Sequence, residues 1–302
     1  MQKQKVIVIA GPTASGKTAL SIELAKKING EIVSADSMQI YTDMDIGTAK
    51  VTNEEMQGIK HYLVDFVSPD ERYSVADYKK DAKCAIKEIL SKGKTPIIVG
   101  GTGLYINSLI YEISYNEIKV DIEYRKKLEE IAKEKGLLYL YEKACQIDKE
   151  AMEKISPNDE KRILSVLEIY HSTGKTKTML EIESRTNPVE YDYKVFAIDM
   201  DRSILYDRIN KRVDIMIEKG LIEEVKNLLQ KYKEFPTAMQ GLGYKEVAEY
   251  LKGNLTKEEM IEKIKQESRR YAKRQLTWFR KIENITWLNG LEDINENINK
   301  II

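Results

Sequence analysis

The sequence predicts an α/β protein, with a parallel sheet flanked by helices and a mostly helical insert. Three observations predict it. A short β-branched run leads into a glycine-rich loop and then an amphipathic helix. Strand and helix patterns alternate up to about residue 111 and resume with a strand near residue 194. Between them, from about residue 112 to 191, the periodicity is helical with almost no strand signal.

In chain order, Lys5–Ala10 (KVIVIA) lies between charge and glycine and reads as a buried parallel strand. Ala19–Lys27 follows as a helix, with Leu20, Ile22, Leu24 and Ala25 apolar. Glu31–Ser34 is a second strand and Thr95–Val99 a third, with a helix over Val75–Ser91 between them. The insert carries helical patterns over Ile122–Lys135, Leu137–Gln146 and Asp159–Tyr170. Lys194–Asp199 (KVFAID) is a fourth strand. From Ser203 the chain is helical, broken at Gly220, at Phe235–Gly243 and at Lys252–Asn254. The expected organisation is a core of residues 1–111 and 192–302 and an insert, or lid, of residues 112–191.

Composition narrows the function classes. The chain has 302 residues, 42% of them hydrophobic and 32% charged, with 49 Lys+Arg against 49 Asp+Glu. An ample apolar fraction with balanced charge excludes a disordered protein. Zero net charge gives no global field to draw in a polyanion, so a nucleic-acid partner would need a local patch. Only five apolar residues, Val6–Ala10, precede Gly11 and Pro12. That run is too short for a secretory signal, and no run approaches the roughly 18 residues of a membrane span. A cytoplasmic protein with no membrane partner is expected. Cys84 and Cys145 read as buried or idle thiols, and His61 and His171 have no metal-ligand spacing, so neither a disulfide nor a zinc site is expected.

Gly11-Pro12-Thr13-Ala14-Ser15-Gly16-Lys17-Thr18 fits the phosphate-loop pattern GxxxxGK[ST], and it sits between a strand and a helix as that pattern requires. The core is therefore P-loop NTPase-like. Backbone N–H groups turn toward a phosphate, the helix N-terminus adds partial positive charge, Lys17 neutralises outer oxygens, and the Thr18 hydroxyl would hold Mg²⁺. The loop binds a di- or triphosphate without saying what becomes of it. The strand Thr95–Val99 runs into Gly100-Gly101-Thr102-Gly103, which has no carboxylate to organise a hydrolase metal. Asp199 and Asp201 remain open for that role or for capping the next helix.

Asp36, Ser37 and Gln39 lie just past the carboxyl end of the second strand, where ligands of open parallel sheets bind. Asp36 reads either as a helix N-cap or as a general base beside a bound diphosphate.

Six segments in order closely resemble the bacterial tRNA dimethylallyltransferases, over about residues 5 to 288. They are GPTASGKT at 11–18, SADSMQIYTDMDIGTAK at 34–50, HYLVDFVSP at 61–69, IIVGGTGLYINSLI at 97–110, PNDEKRI at 157–163 and RRYAKRQLTWFRK at 269–281. The resemblance implies transfer of a dimethylallyl group from dimethylallyl diphosphate to N6 of the adenosine 3′ of the anticodon, at tRNA position 37, in tRNAs reading codons that begin with U. It implies Mg²⁺ as cofactor, the P-loop on the donor diphosphate, Asp36 as base, Thr13 near the bridging oxygen, and Arg212 steadying donor and base. The base to be modified must leave the anticodon stack to be reached. Against the tRNA the resemblance places Asp36, Ser37, Met38, Gln39, Thr102 and Arg125. It also places there Lys161, Arg162, Ile163, Leu164 and Ser165, aligned with a Gln-Arg-x-x-Arg pattern from which Lys161 and Ser165 depart, and Gly243 and Tyr244. No Cys/His finger of the eukaryotic kind follows, which favours a bacterial-type enzyme, and a monomer is expected.

The segment Ile261–Lys281 carries six more positive than negative charges. On a helix Arg270, Lys273, Arg274 and Lys281 share one face, while Ile264, Tyr271, Gln275 and Trp278 mark another suited to the core. Beside an RNA-modifying resemblance, Arg270 and Arg274 become candidate phosphate contacts, with Trp278 and Phe279 assigned to the core. The competing classes are a P-loop small-molecule kinase, an adenine-nucleotide isopentenyltransferase and an RNA-binding nucleotide switch.

Overall fold

A computed structural model describes residues 3–114, 121–184 and 186–302. It contains two compact units, Met1–Ile110 together with Glu190–Ile302, and Tyr111–Val189.

The first unit is built on six strands: β1 (Lys5–Ala10), β2 (Gly30–Ser34), β3 (His61–Tyr62), β4 (Thr95–Gly100), β5 (Asp192–Asp199) and β6 (Thr286–Asn289). They form one sheet in the order β3-β2-β4-β1-β5-β6, and every pairing is parallel. β1 is central because both its faces are covered. Five of its six residues are buried, as its unbroken β-branched run requires. Ile7, Ile9, Ile32, Ile97 and Phe196 pack there with Leu20 and Leu24 of the helix Lys17–Ile28. A second core joins Ile40, Tyr41 and Met44 of the chain after β2 to Val213, Leu221, Val225, Tyr244 and Ile264 of the C-terminal helices.

β3 and β6 were not foreseen. Two residues at one sheet edge, and four of mixed polarity (TWLN) at the other, carry no period that sequence alone would show. The helix Val75–Ser91 lies where its periodicity put it. Its start is set by a capping box in which the Ser74 hydroxyl accepts from Asp77 N and the Asp77 carboxylate accepts from Ser74 N.

The second unit packs Leu128, Leu140, Ala144, Ile163, Leu164 and Leu167 into its own core, from the helices Ile122–Lys135, Leu137–Ile147 and Glu160–Thr173. Asp121 and Asp159 cap the first and third of these through their side chains. Cys84 is exposed and Cys145 half-buried, both as free thiols, so burial does not hold for Cys84. Among the described residues no helix is long and apolar enough to cross a membrane.

Candidate active site

The carboxyl ends of β1, β2 and β4 open into a cavity of about 410 Å³ lined by Thr13, Lys17, Thr18, Asp36, Gln39 and Arg212, among others. This is the place that parallel-sheet topology assigns to ligands. Parallel strands direct their following loops to one side, and here two of those loops are joined. Ala35 N donates to Val99 O at 2.7 Å and Thr102 N to Ala35 O at 3.0 Å. Gly100 sits so near the Ala35 backbone that a Cβ would come within 2.1 Å of Ala35 O, so only glycine fits. The Thr102 hydroxyl accepts from Ser37 N at 3.0 Å and donates to Ser37 Oγ at 3.2 Å. Its partner is the loop after β2, and in this structure it acts as a brace for that loop.

Asp36 combines both of its sequence readings. Its Oδ1 accepts from Met38 N at 2.9 Å and Gln39 N at 3.3 Å, which is a capping geometry. No hydrogen-bond partner is seen for Oδ2 among the described residues, and Asp36 lines the cavity. The carboxylate lies in the field of two cations. Burial lowers the Lys17 ammonium to about 7, with Asp36 opposing that fall and Arg212 adding to it. Burial likewise lowers Arg212, with Asp36 opposing. A cationic pair held out of water around one carboxylate is poised for an anionic ligand. Lys17 Nζ donates to Pro12 O at 2.6 Å, within the loop itself.

Gln275 was assigned to a core-facing stripe, and it does more than fill space. Its Oε1 accepts from Thr13 N at 3.0 Å and its Nε2 donates to Gly101 O at 2.9 Å, tying the P-loop to the turn after β4. The available signal was an amide on the apolar face of the helix Lys257–Phe279. Gln275→Leu is expected to strand both backbone partners and to lower the unfolding free energy by about 1–3 kcal/mol, measured by urea denaturation.

On the same helix Arg274 lines the cavity, with its guanidinium 5.6 Å from the Tyr271 ring centroid. Arg270 is exposed and paired with Glu267 at 2.7 Å. Phe279 is fully buried as expected, but Trp278 is 41% exposed. Its indole edge lies over Gly103, where a Cβ would meet it at 2.3 Å, so it covers the helix Gly103–Ile110 from outside.

Three candidate tRNA contacts have buried side chains. Ile163 and Leu164 are 0% and 1% exposed in the core of the second unit, and Tyr244 is 1% exposed with its hydroxyl committed to Glu224 at 2.7 Å. The Ile163 and Leu164 side chains belong to that core, whereas Tyr244 also lines the cavity. In the second unit Arg125 donates to Glu168 at 2.8 Å and to Glu129 at 3.2 Å. Lys161 and Arg162 are exposed, Arg162 pairing with Asp159 at 3.3 Å, and Ser165 is half-buried.

A family model described as IPP transferase matches residues 39–282. A tRNA dimethylallyltransferase of Acetivibrio thermocellus is 57% identical over 297 residues, covering 98% of this chain and 95% of that protein. Another of the same name from a Thermoanaerobacter species is 52% identical over 307 residues, covering 99% and 97%. The crystal structure of a full-length tRNA isopentenylpyrophosphate transferase of Bacillus halodurans superposes with a TM-score of 0.74 at 44% identity, covering 99% of this chain and 94% of that one. A eukaryotic dimethylallyltransferase solved acting on tRNA gives a TM-score of 0.79 at 32% identity, covering 95% and 74%.

Proposed function

The chain belongs to the IPP transferase family, and from that membership we propose that it is a tRNA dimethylallyltransferase using dimethylallyl diphosphate to alkylate N6 of the adenosine 3′ of the anticodon. The observation that carries the reading is the meeting, in one cavity, of a phosphate loop with a carboxylate whose Oδ2 remains available. A P-loop kinase would need a phosphoryl acceptor site, whereas a carboxylate beside the loop suits removal of a proton from an amine.

The chemistry follows from charge. The exocyclic nitrogen of adenine is a weak nucleophile because its lone pair is delocalised into the ring. It attacks the allylic C1, the C1–O bond breaks, and both electrons leave with the diphosphate. Asp36 Oδ2 takes the N6 proton as the C–N bond forms. Negative charge grows on the departing oxygens, where Lys17 and P-loop amides would neutralise it. Arg212 lies near enough to Asp36 for the carboxylate to support its charge against burial, which suits it to bridge donor and base.

The cavity offers hydroxyl oxygens from Thr18 and Ser34, donors that fit a hard cation beside a diphosphate. Thr18 would hold Mg²⁺ together with diphosphate oxygens and water. Bound Mg²⁺ supplies further neutralisation of the leaving diphosphate.

The second unit, residues 112–191 by its sequence pattern, is assigned to the tRNA, with Arg125, Lys161 and Arg162 as its polar contacts. On the first unit, Arg270 and Arg274 of the helix Lys257–Phe279 are assigned to RNA phosphates. The double change Arg270→Ala/Arg274→Ala is expected to weaken tRNA binding and flatten its dependence on log salt by roughly one to two units of slope. A filter-binding series in KCl checks this, and an unchanged slope removes the assignment.

The decisive assay incubates the protein with dimethylallyl diphosphate and an anticodon stem-loop, then analyses nucleosides by mass spectrometry. An adenosine heavier by one C5H8 unit is the expected product. Unmodified RNA accompanied by ATP consumption would favour the kinase.

A further inference from the structure

The loop that carries Asp36 and Gln39 is held from its far end by a carboxylate outside the cavity. Glu224, on the helix Leu221–Lys231, accepts four hydrogen bonds. Its Oε2 takes Asp45 N at 2.9 Å and Ile46 N at 2.7 Å, and its Oε1 takes Gly47 N at 3.0 Å and the Tyr244 hydroxyl at 2.7 Å. Three consecutive backbone N–H groups converging on one carboxylate fix a peptide segment in position and orientation. From the other side Gly47 rests on the Tyr244 ring, where a Cβ would come within 2.5 Å, so the segment is clamped by contact as well as by charge.

The clamped segment continues directly into the site. Thr48 O accepts from Gln39 Nε2 at 3.3 Å and from Arg212 Nη2 at 3.2 Å, and Ala49 O accepts from Gln39 Nε2 at 3.1 Å. Two cavity-lining side chains therefore take their orientation from carbonyls one and two residues beyond the clamp. We infer that Glu224 is a positioning residue for prenyl transfer, setting Arg212 and Gln39 through the backbone of residues 45–49. This inference rests on the functional reading above.

Glu224→Gln is a sharp test because all four partners are donors. An amide supplies one oxygen, so at least one side of the clamp faces an NH₂ group that cannot accept. The P-loop lies on other strands and is untouched. The expected result is a kcat lowered roughly 10- to 100-fold, since catalytic groups are misplaced by fractions of an ångström to about one ångström. The Kd for dimethylallyl diphosphate is expected to stay within about threefold of the wild type, as a positioning role leaves diphosphate capture intact. Amide exchange in peptides spanning residues 36–49 should quicken while β1 and β4 keep their protection. In a cycle with Gln39→Ala the two effects should not multiply, because Glu224 acts through Gln39 and Arg212. Gly47→Ala pushes the same segment from the Tyr244 side and should give the same kcat loss, which serves if Glu224→Gln does not fold.

Unchanged kcat, unchanged exchange at residues 36–49, or fully multiplicative effects with Gln39→Ala would overturn the inference. If the wild-type protein transfers no prenyl group, the functional reading fails, and the exchange measurement still decides whether Glu224 holds the loop.

Discussion

Replacing Asp36 by Asn is expected to cut turnover by roughly 10²- to 10⁴-fold while keeping the turn that its side chain closes. The reasoning uses both oxygens of the side chain. Oδ1 closes a turn by accepting from Met38 N and Gln39 N, and an asparagine oxygen closes that turn equally well. Oδ2 is the atom assigned to the N6 proton, and an amide at that place has no basicity to offer. Asn therefore removes the chemistry and leaves the scaffold. Ala removes both, and should further lower stability by about 0.5–2 kcal/mol through the lost cap. Single-turnover prenylation beside thermal melts of the three proteins separates the roles. An Asp36→Asn protein with a near-normal single-turnover rate would eliminate Asp36 as the base.

Lys17→Met is expected to lower kcat/KM for the donor by roughly 10²- to 10³-fold, as loss of one preorganised charge at a developing anion does. The same change should stabilise the protein in the absence of donor, and the effect has a pH signature. Burial lowers the folded-state pKa of Lys17 to about 7, against 10.5 ordinarily. Between those values the unfolded chain binds more protons than the folded one, so the Lys17 contribution to stability rises with pH across the window. Below pH 7 both states are protonated and the whole cost of burying the ammonium is present. The advantage of Met should thus be greatest near pH 6 and fade toward pH 10, by denaturant titration at each pH. A stability difference that did not vary with pH would show that the ammonium is not held out of water.

Much of this site was legible because its physics is local. A P-loop is contiguous, so strand, glycines, Lys17 and Thr18 can be read in a single window. Asp36 was found by its place after a strand, and Thr102 only through the resemblance. What escaped was the set of contacts made across long stretches of chain. Gln275 was visible only as an amide on an apolar stripe, and its bonds to Thr13 and Gly101 join segments far apart in sequence. Glu224 looked like any acidic residue in the first turn of a helix, where a favourable dipole is reason enough for it. Tyr244, Ile163 and Leu164 were carried over as contacts from a motif that does not distinguish the residues facing a partner from those that shape the backbone. Trp278 erred the other way, because a large aromatic on an apolar stripe still keeps part of its ring outside when the surface beneath it is glycine. The short edge strands escaped because edges need no continuous apolar run.

The central strand has one further consequence, for the order in which the chain becomes a protein. β1 emerges first, yet its two neighbours are β4, which begins at Thr95, and β5, which begins at Asp192. The brace that orients the P-loop comes later still, from Gln275. During synthesis from the N-terminus, the phosphate loop is thus made well before the residue that braces it, with the helical second unit translated in between. Until β5 and the helix Lys257–Phe279 have been made, a growing chain holds an unpaired β1 edge and an unbraced loop. Competence to grip a diphosphate is in this sense acquired only once Gln275 has been made.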